Sequence, residues 1–300
     1  MDQQCPQCGG DAKVFDVGTV SVENYFQRSP NYVIAEGGNE DRLPLYTCVA
    51  CGHGFTPITI DSARITQWYA DAAQDEVFLS DEEARKKTAQ QVLKRISNIM
   101  PSGKLLDVGA GPGIFVHQAQ LAGYEATGLE PSVWAVQHGK SVYGVDMIQG
   151  DADSLQDMKE NSFDVVTLFD VIEHVVNPDV LLRAINRVLK PGGLLVITTP
   201  KFDSVLARGM GEKWYCIFPA HLHYFTDRSL AATLGKNNYV MHMRRLHTRY
   251  LGSSYFLNRL QKFLLGRSVV SFAEKGTIQL PINFGDEFEV YARKISPTQQ

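Results

Sequence analysis

The sequence predicts an α/β fold: a doubly wound parallel sheet preceded by a small metal-binding segment. Three observations carry that reading. From Lys104 onward, short apolar runs alternate with stretches of helical periodicity, as a parallel sheet with crossover helices requires. At the start of that alternation, Leu105-Leu106-Asp107-Val108-Gly109-Ala110-Gly111-Pro112-Gly113 runs two apolar residues into an acid, a valine and three glycines at every second position. Four of the five cysteines precede residue 60, as Cys5-Pro6-Gln7-Cys8-Gly9 and Cys48-Val49-Ala50-Cys51-Gly52.

The totals bound the rest. A chain of 300 residues holds one α/β domain of ordinary size plus something small at one end. At 44% hydrophobic and 21% charged it is globular, and a formal charge of -4 is a poor match to the clustered basic face that nucleic acid requires. The one dense basic segment, His242 to Arg249, is short. No run of eighteen apolar residues appears, so no membrane span is expected. The N-terminus has neither the basic nor the apolar region of a secretory signal, and a cytoplasmic location follows as the expectation. In such a reducing compartment paired cysteines act as metal ligands rather than disulfides.

Each C-x-x-C pair is followed at once by glycine, a geometry in which one tight turn aims two thiolates at one point. Cys5, Cys8, Cys48 and Cys51 therefore make a tetrahedral four-sulfur site. Zinc is the default ion, with iron in a rubredoxin-like site as the alternative. Four cysteines leave no open coordination position, so the role is structural. Residues 1–60 read as a zinc ribbon with an inserted hairpin, its strands over Lys13 to Val17, Val20 to Phe26 and Leu45 to Thr47.

Residues 61–103 read as a helical linker packed on the core. A short helix from Ser62 to Ala73 carries Trp68 and Tyr69. A longer one opens on Ser80-Asp81-Glu82-Glu83, a capping box with Ser80 as N-cap, and places Ala89, Val92, Leu93, Ile96 and Ile99 at helical spacing.

The main domain spans 104–296. Strand one is Lys104 to Val108 and leads into the glycine turn. A dinucleotide-binding turn is spaced G-x-G-x-x-G, whereas here the third glycine comes one residue early. The turn resembles motif I of the class I S-adenosylmethionine (SAM) dependent methyltransferases, with Asp107, Gly109, Ala110, Gly111 and Gly113 at the cofactor. Strand two, Ala126 to Leu129, closes with Glu130 about twenty residues after the first glycine, where an acid can accept hydrogen bonds from both ribose hydroxyls. Pro131 follows it. Strand three, Asp146 to Gln149, leads into Asp151 and Ala152, and in the family an acid at this place contacts the adenine amino group.

Strand four, Phe163 to Phe169, runs into Asp170-Val171-Ile172-Glu173-His174. This is similar to motif IV in the form carried by ubiquinone-type O-methyltransferases and many sugar and natural-product methyltransferases, which implies that Phe169 and Asp170 border the methionine end of SAM. A helix over 178–189 and the turn Lys190-Pro191-Gly192-Gly193 precede strand five. The resemblance covers about residues 80 to 295 and implies a Rossmann-like seven-stranded sheet in the order 3-2-1-4-5-7-6, with strand seven antiparallel.

Two insertions near 201–226 and 252–284 read as lids. The first, Lys213-Trp214-Tyr215-Cys216-Ile217-Phe218-Pro219-Ala220-His221-Leu222-His223-Tyr224, crowds aromatics and two histidines into one loop, where rings can wall off a substrate and a histidine can take its proton. The second holds an amphipathic helix from Tyr255 to Leu265. Asp227 caps a helix to Gly235, strand six runs from Tyr239 to Tyr250, and Phe288 to Arg293 is the last strand.

The expected activity is transfer of a methyl group from SAM to a small-molecule acceptor, at oxygen or carbon, by in-line displacement that depends on alignment. His221 and His223 are the candidate bases, with His174 behind them. A four-cysteine segment joined to this fold resembles deoxysugar C-methyltransferases and related small-molecule enzymes. Two other readings stand beside it: an RNA or protein methyltransferase that grips its substrate with the ribbon, and a SAM-binding protein that does not catalyse. The ribbon argues against RNA, since Met1 to Pro57 holds only Lys13, Arg28 and Arg42 as basic residues against seven acids. The oligomeric state is not legible.

Overall fold

The structure is a computed structural model and describes residues 3–27, 42–58, 61–71, 81–217, 219–254, 256–257 and 278–295. Strands β1 (Gln3–Gln4), β2 (Asp11–Asp16), β3 (Leu45–Cys48) and β4 (Gly54–Phe55) form an antiparallel sheet in that order. The expected strand from Val20 to Phe26 is a helix instead, Val22–Tyr25. Ser21 accepts a hydrogen bond from the Asn24 backbone N–H, and Val22 and Tyr25, three apart on one face, pack with Ile65 and Trp68. No hairpin is formed among the described residues of this insertion.

Helix Ser62–Ala70 is capped by the Asp61 carboxylate and buries Ile65 and Trp68. The longer helix, Glu82–Ile99, has Asp81 at its N-cap; Ser80 lies outside the described residues. Asp81 makes no side-chain cap bond, because its carboxylate accepts the Gly252 N–H at 2.8 Å. Ala89, Val92, Leu93 and Ile96 are buried, as their spacing requires.

The central sheet then begins. Strands β5 (Lys104–Val108), β6 (Glu125–Glu130), β7 (Asp146–Gln149), β8 (Phe163–Phe169) and β9 (Leu189–Pro200) are all parallel. The Lys190-Pro191-Gly192-Gly193 turn lies inside β9 rather than before it. Phe163 faces Leu189 and Val165 faces Leu194, so these residues bulge out of register.

Strand β10 (His223–Tyr224) leaves the central sheet and adds to the cysteine-bearing one, with His223 opposite Phe55 and Tyr224 opposite Gly54. Helix Asp227–Lys236 follows, capped by Thr226 and not by Asp227. The expected sixth strand divides into β11 (Tyr239–Leu246) and β12 (Arg249–Gly252), because the His247 N–H turns to the Glu287 carbonyl and its ring to the Glu289 carboxylate. Strand β12 pairs with β13 (Gln279–Ile282) outside the main sheet. Strand β14 (Glu287–Lys294) inserts antiparallel between β9 and β11.

The seven-stranded sheet therefore reads β7-β6-β5-β8-β9-β14-β11, which is the order 3-2-1-4-5-7-6 with strand seven antiparallel. One face is covered by helices Pro178–Val188 and Asp227–Lys236, where Leu181, Leu182, Ile185 and Leu230 are buried. The other is covered by Glu82–Ile99 and Ile114–Leu121. Each such side chain contributes about 1.5–3 kcal/mol of burial. The helix expected over 255–265 falls outside the described residues apart from 256 and 257. Among the described residues no helix is long and apolar enough to cross a membrane.

Candidate active site

The strand order reverses between β5 and β8, and the loops at their carboxyl ends meet there, the usual place for a ligand in a doubly wound sheet. Gly109 lies one residue past β5 and Asp170 one residue past β8. Gly109, Gly111 and Gly113 all have positive φ, at 74°, 51° and 83°. A Cβ on Gly109 would stand 2.4 Å from a methyl of Val171, so the glycine turn and the loop after β8 are in direct contact. Only glycine fits at that point.

The acids of the turn are buried. Asp107 accepts a 2.6 Å hydrogen bond from the Thr167 hydroxyl, and burial pushes its carboxyl up to about 7. Glu130 accepts from the backbone N–H of Gly111 at 2.8 Å and of Ser132 at 3.0 Å, which holds the glycine turn against the end of β6. Ala110 packs against Gly128, while Pro131 is half-buried beside Glu130. Asp151 accepts the Asp153 N–H at 3.0 Å and so caps the turn that follows. Ala152 packs on the core, and the Phe169 ring meets Phe115 edge-on at 4.6 Å.

Asp170 adopts φ 54°, unusual for a non-glycine residue, and its surroundings hold it there. Its N–H reaches Thr198, the Thr198 hydroxyl donates to its carboxylate, and Arg249 donates to the other oxygen at 2.7 Å. Burial opposes ionisation, but the Arg249 guanidinium prevails and holds the carboxyl well below its usual range. Arg249 also pairs with Glu287.

Glu173, His174 and His221 come together beside this loop, with one donor atom of each within 4.8 Å of the others. Glu173 is 1% exposed; one oxygen accepts from the Thr199 hydroxyl and the other has no hydrogen-bond partner. Burial pushes its carboxyl well above the ordinary range, with Asp170 adding to it. His174 Nδ1 lies 2.9 Å from the Ala220 carbonyl, with the Tyr69 hydroxyl at 2.9 Å from the same nitrogen. His221 Nδ1 lies 2.9 Å from the Cys216 carbonyl. A carbonyl only accepts, so both rings carry the proton on Nδ1 and the lone pair on Nε2. Burial lowers the affinity of both for a second proton, that of His221 to about 3 with His174 adding to the effect.

His223 stands elsewhere. It is buried in β10, with Nδ1 3.1 Å from His53 Nε2 and Nε2 3.2 Å from the Val176 carbonyl, and burial pushes it down to about 4. Both its nitrogens are used by the fold. The loop that carries the histidines is thus split, His221 toward His174 and His223 toward the cysteine sheet.

The methyltransferase domain family matches residues 81–242, more than half of the chain. The chain belongs to that family. The ubiquinone biosynthesis O-methyltransferase of Pseudomonas syringae is similar, 37% identical over 101 residues, which are 32% of this chain and 44% of that protein. That of Pseudomonas aeruginosa is 35% identical with the same coverage. The chain therefore spans less than half the length of these curated relatives. A SAM-dependent methyltransferase from Thermotoga maritima has a similar fold, with a TM-score of 0.50 and 20% identity over 73% of this chain and 93% of that one. A chain of the complex between the Haloferax volcanii Trm112 methyltransferase activator and a methyltransferase gives 0.52 and 15%, over 79% and 100%.

The methyltransferase domain carries the cysteine sheet on one flank. Cys5, Cys8, Cys48 and Cys51 sulfurs lie within 4.8 Å of one another, with neighbouring pairs at 3.5–3.7 Å. Tetrahedral ligation at ~2.3 Å places sulfurs about 3.8 Å apart, so the residues fit a zinc ion. The two knuckles close alike. Cys5 N–H donates to Gly10 O and Gly9 N–H to Cys5 O; Cys48 N–H donates to His53 O and Gly52 N–H to Cys48 O.

Arg249, Thr198, Glu173 and His53 escaped the sequence reading. Glu173 had a signal, since it adjoins His174 after a predicted strand. Arg249 had none, because 79 positions separate it from Asp170.

Proposed function

We propose that the chain transfers a methyl group from SAM to a small-molecule acceptor, at oxygen or carbon, with His174 or His221 as the base. The pair of Nε2 lone pairs beside the β8 loop carries this reading. Both imidazoles are neutral at physiological pH, each is oriented by a backbone carbonyl, and they stand 4.7 Å apart between ring centroids. SAM, when bound, supplies an electrophilic methyl group. Asp107, Gly109, Ala110, Gly111 and Gly113 shape its cradle, Glu130 and Pro131 border the ribose, Asp151 and Ala152 the adenine, and Phe169 and Asp170 the methionine end.

Glu130 now bonds the glycine turn through one oxygen, and ribose hydroxyls would share that carboxylate. His174 or His221 would accept the proton of the acceptor as it attacks, and exclusion of water on the side where the Tyr69 ring meets His174 would keep the methyl group for the acceptor. Cys5, Cys8, Cys48 and Cys51 would hold one structural zinc. The domain division that fits this reading is a ribbon over 1–60, a linker over 61–103 and a catalytic body over 104–296, with lids near 201–226 and 252–284.

Labelled SAM offered with catechol-type quinone precursors and with keto-deoxysugar nucleotides tests the acceptor class. Label in product with the wild type, and its loss in His174→Ala or in His221→Ala, supports the assignment. Tight binding of S-adenosylhomocysteine with transfer to no small acceptor would leave the interaction-protein reading in its place.

A further inference from the structure

We propose that the four-cysteine knuckle positions the acceptor end of the active site, with His53 as the positioning residue. The inference rests on reading that end at His174 and His221. Segment 220–226 is held between two partners. On one side the motif IV loop takes it: Leu222 and His223 N–H groups donate to the Glu173 carbonyl at 2.7 and 3.1 Å, and His174 donates to the Ala220 carbonyl.

On the other side stands the knuckle. Thr56 N–H donates to Leu222 O at 2.9 Å, the Thr226 hydroxyl donates to Cys51 O at 2.8 Å, and Arg228 donates to Ala50 O at 2.7 Å. The first knuckle is tied in as well, through Gln7, whose side chain accepts from the Thr233 hydroxyl at 2.6 Å.

His53 joins the two sides. The Val176 carbonyl only accepts, so His223 carries its proton on Nε2 and accepts on Nδ1, and His53 must donate from Nε2. A directed chain runs His53 to His223 to Val176, from the residue two past Cys51 to the residue two past His174. It is sealed from water, since His53 is 0% and His223 4% exposed, with His53 packed against Phe55 and Phe225. Four sulfurs on one ion fix the knuckle turns, and the turns fix strand β4 and the His53 ring. The ring then sets where the histidine loop lies on the motif IV loop. The cofactor turn is tied to β6 through Glu130 and meets the motif IV loop at Val171, ahead of the 172–177 segment.

Amide hydrogen exchange on the full chain separates the two ends. Metal content is measured first, then exchange is followed by mass spectrometry with metal present and after chelation, together with S-adenosylhomocysteine calorimetry. Chelation should speed exchange about tenfold over 172–177 and 220–226, with affinity for S-adenosylhomocysteine changed by less than about threefold. His53→Phe keeps the ring stack and loses the donor. It should retain the metal, keep that affinity and still loosen 172–177.

Exchange confined to 3–58 after chelation, with 172–177 unchanged in His53→Phe, overturns the proposal. So does loss of S-adenosylhomocysteine binding in parallel with the exchange, which would mark a general loosening. A protein purified without metal overturns the metal half, and His53→Phe, which does not depend on it, then decides the positioning role.

Discussion

Gly109→Ala probes the contact on which the cofactor turn and the motif IV loop both depend. Gly109 sits at φ 74°, and an added Cβ would come 2.4 Å from Val171 Cγ2. Two costs add. A left-handed conformation for a residue with a Cβ costs about 1–2 kcal/mol. Overpacking against Val171 costs about 1–3 kcal/mol more, because Val171 packs against the buried core cluster that contains Ile172, Leu168 and Ile197. The expected loss of stability is about 2–5 kcal/mol. Urea unfolding followed by tryptophan fluorescence measures it, and calorimetry with S-adenosylhomocysteine reports the accompanying loss of affinity. Val171→Ala in the same chain should recover the steric part and leave the backbone part. A loss below about 1 kcal/mol, or a double variant no more stable than Gly109→Ala, would refute the reasoning.

Other outcomes follow from the same geometry. His174→Ala and His221→Ala should each keep S-adenosylhomocysteine affinity while turnover on a true acceptor drops about 10²–10⁴-fold in whichever carries the base. Asp107 titrates at about 7 when folded against 3.8 as an ordinary carboxyl, so the folded chain holds its proton more tightly between those values. Stability from this group is therefore full below about pH 4 and falls as pH rises toward 7, by up to roughly 4 kcal/mol, and Asp107→Asn should flatten that slope in chemical denaturation. Glu289 goes the other way. Burial opposes its ionisation, but His247, Tyr291 and Arg95 hold it down at about 2, so its contribution is present above pH 4.5 and is lost as pH falls toward 2; Glu289→Gln should remove that acid-side loss. The purified protein should carry one equivalent of zinc, and Cys8→Ser should lower it, as a metal-release assay with a colorimetric chelator would measure.

The sequence by itself determined the parts whose physics is local. Two C-x-x-C-G turns can aim thiolates only inward, and the glycines after β5 mark a turn that a side chain would block. Apolar runs alternating with amphipathic helices require a parallel sheet, and its seven-stranded order followed from the resemblance. Tertiary structure decided whatever depended on residues far apart in the chain. His223, equal to His221 in the sequence as a base, was taken by β4 and His53, because a strand beside an open sheet edge gains backbone hydrogen bonds by pairing with it. Arg249 reached Asp170 only because the fold sets it against Glu287, the first residue of β14, and the segment expected as a ribbon strand became a helix because Trp68 offered its apolar face a partner. Local spacing sets turns, caps and periodicity; which buried polar groups become partners is set by packing, since each must find its hydrogen bonds among whatever the fold brings near.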